Sequence, residues 1–153
     1  MFALYVAPQI ISQQFMAGKN KMIYNFPITI PKNTPIADLY LEDIKLTHGV
    51  IHKVEFLFPP GPVGLAGIAV YDAIHQVWPS NTGEFFSSDD ETISYPEHLP
   101  LIVEPYLLTA AAYNLDDTFE HTITVRIGIL PIEIIAPWMQ SYDKRLLNIF
   151  GVS

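Results

Sequence analysis

The chain has 153 residues, 13 prolines, no cysteine and a formal net charge of −8, and half of its residues are hydrophobic. That length suits one domain with a core of its own, and the missing cysteine excludes disulfides, thiolate zinc sites and cysteine nucleophiles. The acidic balance argues against nucleic acid as a partner, since phosphate neutralisation needs clustered Lys and Arg, and no apolar run approaches the roughly 18 residues of a membrane span.

Residues 1–20 mix apolar residues with Gln, Gly and Asn without a sustained period and read as an amino-terminal arm. Their start, MFALYVAPQIIS, lacks the basic leading region and small-residue cleavage site of a secretory signal and reads as mature protein. From 21 to 31, Met22, Tyr24, Phe26, Ile28 and Ile30 alternate with Ile23, Asn25, Pro27 and Thr29, which predicts a strand whose proline places it at an edge or a bulge. Residues 31–38 read as a loop and 39–47 as a second strand. Val50, His52, Val54, Phe56 and Phe58 alternate with Ile51, Lys53, Glu55 and Leu57 in a third. Pro59, Pro60, Gly61, Pro62 and Gly64 then form a rigid corner, followed by a fourth strand over 65–72. These two strands are expected to be the central pair of a sandwich.

Short strands follow at 73–78, 84–86 and 91–95, and the prolines of 96–105 argue against a regular element there. Alternation resumes over 106–114 and again over 118–130, where Phe119, His121, Ile123, Val125, Ile127 and Ile129 share a face, so 106–130 reads as a hairpin. Pro137 is placed as a first helical residue. Met139, Tyr142, Leu146, Leu147 and Phe150 after it form the apolar stripe of an amphipathic helix, a candidate subunit interface. The expected fold is all-β: an antiparallel sandwich of jelly-roll or Greek-key kind over 21–135, between the arm 1–20 and a docking segment 136–153.

No spacing of residues names a reaction. His48 and His52 lie about 13 Å apart on a strand, too far for one metal, and the clusters Asp89, Asp90, Glu91 and Asn114, Asp116, Asp117 suit turn closure better than a calcium loop. There is no GxSxG, GxxxxGK[ST] or GxGxxG. The chain is therefore read as non-enzymatic and without cofactor. Trp78, Phe85, Phe86 and Tyr95 would offer stacking faces to a glycan if exposed, which keeps a carbohydrate-binding module as the alternative. Charge is unevenly spread: Lys19, Lys21 and Lys32 stand in residues 1–37 without an acid, whereas no Lys or Arg occurs between Lys53 and Arg126. The three lysines suggest a basic arm that docks on an acidic neighbour.

Residues 46–131, with LTHGVIHKVEFLFPPGPVGLAGIAVYDAIHQVWPSN, DDETISY and AAYNLDDTFEHTITVRIGILP, resemble small proteins of the structural gene clusters of tailed bacteriophages. The resemblance implies a virion component such as a capsid decoration or minor head protein. Such a protein would be displayed in many copies as a trimer or other ring and bound through its termini to the major capsid or other virion proteins.

Overall fold

A computed structural model describes residues 21–135 of the chain. Nine strands form it: β1 (Met22–Ile30), β2 (Tyr40–Lys45), β3 (Gly49–Phe58), β4 (Ala66–Asp72), β5 (His75–Trp78), β6 (Phe86–Ser87), β7 (Glu91–Leu101), β8 (Leu107–Asn114) and β9 (His121–Leu130), followed by one helical turn, α1 (Ile132–Ile135). One sheet has the order β1-β9-β3-β7 and the other β2-β8-β4-β5, with β6 added beside β4, and every pairing is antiparallel. The pairs β1·β9, β2·β8, β3·β7 and β4·β5 nest inside one another in the chain, which is the jelly-roll arrangement of a β-sandwich.

The alternation read from the sequence sets the inner faces. Ile28 and Ile30 of β1, Ile123, Val125, Ile127 and Ile129 of β9, and Val54, Phe56 and Phe58 of β3 meet Ile68 and Val70 of β4 and Leu108, Ala110 and Ala112 of β8 in one apolar core. The hairpin expected over 106–130 is absent, and the expected central pair, β3 and β4, are interior strands of different sheets. β3 pairs with β7 and β9 while β4 pairs with β8, β5 and β6, and β8 and β9 likewise belong to opposite sheets. The connections 59–65 and 115–120 therefore cross from one sheet to the other. Each is longer than the two to five residues of a usual hairpin loop.

The prolines of 96–105 do not end β7, which runs through Pro96 and Pro100 to Leu101. It is an edge strand, and an edge strand tolerates residues that cannot donate on its open side. Pro27 sits likewise on the other edge of that sheet, in β1. The phase of β3 also departs from simple alternation: pairing moves from Ile51↔Ile129 to Lys53↔Gly128, leaving His52 as an extra, bulged residue. Ile51 thereby takes the buried position the alternation had given to His52.

The two ends of the sandwich differ. The β1–β2, β3–β4, β6–β7 and β8–β9 connections gather at one, called here the loop end. At the opposite end β1 begins next to where β9 stops, with Met22 paired to Ile129. The chain thus enters at Lys21 and leaves at Pro131 from the same end of the sandwich.

Candidate functional site

At the loop end the inner apolar rows finish in two buried polar residues, Asn114 on β8 and His121 on β9. The Asn114 amide nitrogen donates to the carbonyls of Ile30 (3.2 Å) and Phe119 (2.9 Å), and its Oδ1 accepts the Asp116 N–H at 3.0 Å. Its backbone exchanges two hydrogen bonds with Thr34, at 2.8 and 2.9 Å. One fully buried side chain so ties the end of β1 and the β8–β9 loop together, while its backbone holds the β1–β2 loop.

His121 Nε2 lies 2.8 Å from Asp116 Oδ2. The other oxygen, Asp116 Oδ1, accepts the N–H groups of Thr118 (2.8 Å) and Phe119 (3.1 Å). The Thr118 N–H first, then His121 and the Phe119 N–H, hold this carboxyl below the usual aspartate range. Asp89 performs the same task between loops. Its Oδ1 accepts the N–H groups of Gly61 (2.8 Å) and Val63 (3.0 Å), and these, Val63 foremost, hold its carboxyl low as well. The Asp90 N–H donates to the Pro59 carbonyl at 3.2 Å. The four connections are thereby joined into a rigid cap.

This cap presents apolar side chains to solvent. Val63 has φ of 48° and is 73% exposed; a β-branched residue in the left-handed region is a true outlier, and the Asp89 carboxylate holds its N–H there. The Leu115 N–H bonds the Leu65 carbonyl at 2.9 Å, setting two further exposed leucines side by side. Phe119 is 65% exposed. Asp89, Asp90, Asp117 and Glu120 stand exposed on the same loops. Apolar side chains amid charged ones, on loops that cannot easily rearrange, have the make-up of a protein-binding surface. Beside it, on the outer face of the first sheet, Leu57, Pro59, Asp90, Thr92, Thr122 and Thr124 border an open depression of about 290 Å³. One oxygen each of Asp89 and Asp116 accepts two backbone N–H groups, and the second oxygen of Asp116 meets His121. Among the described residues no group of three or more His, Cys, Asp or Glu is gathered to hold a metal ion.

Of the aromatics expected to stack on a glycan, Trp78 is buried and the other three are half-buried. Trp78 is 2% exposed; its ring packs edge-on to Phe56 at 6.4 Å, and its Nε1–H donates to Glu97 Oε2 at 2.6 Å, joining the edge strands β5 and β7 of the two sheets. Phe86 packs on Phe56 (5.0 Å) and Tyr95 (6.2 Å). Phe85 turns the opposite way, edge-on to Tyr113 at 5.1 Å. Three of the four aromatics thus form a seam along the edge of the core, Trp78 buried and Phe86 and Tyr95 half-buried.

The lysines do not form one patch either. Lys32 follows β1 at the loop end and Lys21 precedes it at the other, about 30 Å away along a nine-residue strand. Lys19, and the stripe Met139, Tyr142, Leu146, Leu147 and Phe150, lie outside the described residues. Sequence reading missed the roles of Asn114 and Val63. The available signal for Asn114 was a polar residue at the end of a strand of inward-facing alanines; for Val63 there was none. No family model, curated protein or solved structure matches the chain.

Proposed function

We propose that the chain is a non-catalytic structural subunit of a virion, of the tailed-phage decoration or minor head type, which binds a protein lattice through the segments 1–20 and 136–153. The observation that carries this reading is the polarity of the sandwich. The described chain enters the domain at Lys21 and passes Pro131 at one and the same end. The rigid, apolar and acidic loop end is then turned away from the lattice, free for a further protein contact. Jelly rolls serve capsids among other uses, and that fold-level analogy supports the reading without deciding it.

The test is co-sedimentation of the purified chain with particles of the virus that encodes it. The full chain should pellet with particles stoichiometrically, and a chain lacking residues 1–20 should stay in the supernatant while keeping its β-sheet circular dichroism and cooperative unfolding. Failure of the full chain to pellet would overturn the proposal; equal pelleting of both chains would remove the arm from it.

A further inference from the structure

On the outer face of the first sheet, toward the end where the chain enters and leaves, the bulge in β3 has a second consequence. It brings His52 and Lys53 together to the rim of a small pocket of about 70 Å³, whose other walls are Lys21, Ile23, Glu55, Arg126 and Gly128. Gly128 on β9 is the floor. A Cβ there would lie 2.7 Å from His52 Nε2, so a glycine is needed for the imidazole to lie over this strand. A bulge on one strand and a glycine on the next together shape the pocket.

Its chemistry is cationic. Lys21, Lys53 and Arg126 surround a single carboxylate, Glu55, which accepts Lys53 Nζ at 2.6 Å and lies 3.8 Å from Arg126 Nη1. Arg126 Nε donates to Asn25 Oδ1 at 3.0 Å, which fixes the guanidinium over the sheet. One buried polar atom of the pocket, His52 Nε2, has no hydrogen-bond partner. A buried imidazole nitrogen without a partner is costly. Three cations converging on a small pocket with one carboxylate among them leave a positive excess that a second anion would neutralise.

We infer that this pocket binds one small oxyanion, a carboxylate or a phosphate-type group, between Lys21, Lys53 and Arg126, with His52 at its wall. The inference does not depend on the proposed function. Burial first, then Lys21 and Lys53, lowers the His52 pKa. A bound anion offsets the two lysines and raises it. Binding accordingly tightens as pH falls through the His52 titration, with Lys21, Lys53, Arg126 and Glu55 as the charged groups that line the pocket from β1, β3 and β9.

The test is a long-range ¹H–¹⁵N correlation spectrum of the His52 ring in the full chain, titrated separately with sodium phosphate, sulfate and acetate at an ionic strength held constant with sodium chloride. A saturable shift of the His52 nitrogens, with an upward move of its titration midpoint, is expected. Lys21→Gln, an exposed change that leaves the fold intact, should weaken binding about tenfold, and Gly128→Ala should weaken it by pushing the His52 ring off β9 into the pocket. Saturation by acetate at lower concentration than phosphate assigns a carboxylate as the ligand class, and the reverse order assigns a phosphate or sulfate group. A shift that never saturates, or one unchanged by Lys21→Gln, overturns the inference, whatever Gly128→Ala does to folding.

Discussion

Asn114 shows how much one side chain can carry. Its fully buried amide satisfies two carbonyls and one N–H that belong to three separate points of the backbone at the end of the core. Replacement by Leu keeps the number and branching of the side-chain heavy atoms and removes every one of those bonds. Leaving buried backbone groups unpaired costs about 1–3 kcal/mol for each group that water cannot reach. Asn114→Leu is therefore expected to lose about 2–4 kcal/mol, seen as a lower midpoint in urea with an unchanged m-value. A loss under about 0.5 kcal/mol would mean that water replaces the amide. Val63 is different in kind. Its left-handed backbone exists because Asp89, 26 residues on, accepts its N–H. Nothing in the local sequence PPGPVG marks Val63 as a residue at positive φ alongside Gly61 and Gly64. The inward rows of β9 and β3 were legible because apolar periodicity is a local property; the acceptor of a distant loop is not.

At the scale of elements, strands were legible and their partners were not. Alternation locates β1, β2, β8 and β9 to within a few residues, yet it is the same for a hairpin and for a crossing between sheets. What distinguishes them is the connection. Residues 73–74 join β4 to β5 as a tight hairpin, whereas 59–65 and 115–120 are long enough to cross the core. β5 and β6 are also joined by a device outside periodicity. Gln76 Nε2 donates to the carbonyls of Pro79 (2.8 Å), Asn81 (3.3 Å) and Glu84 (2.9 Å), while its Oε1 accepts the Gly83 N–H at 2.9 Å. One side chain thus substitutes for a ladder in organising the loop 79–85. Gln76→Ala should open this loop locally and leave the sandwich standing. Loss of about 1.4 kcal/mol of local protection corresponds to tenfold faster exchange of the Gly83 amide, while amides of β9 keep their wild-type rates. Equal acceleration in both places would show that the loop and sandwich open as one unit.

For the whole molecule, the consequence of the nested pairing is direction. Because β1 and β9 are neighbours, Met22 and Leu130 share an end, and the β1–β2, β3–β4, β6–β7 and β8–β9 connections share the other. The absence of cysteine from the sequence makes that polarity directly measurable, because any thiol introduced is the only one present. Glu120→Cys places a thiol on the loop end, and Val103→Cys places one on the exposed β7–β8 connection at the end where the chain enters and leaves. In the free protein both positions should react with a maleimide at comparable rates. If the flanking segments hold the domain to a lattice, docking should slow Val103→Cys by an order of magnitude or more and leave Glu120→Cys unchanged. Protection of Glu120→Cys alone would reverse the orientation, making the apolar and acidic cap the face that meets the lattice. Slowing of neither would mean that the flanking segments act as tethers, holding the sandwich at a distance with both ends exposed.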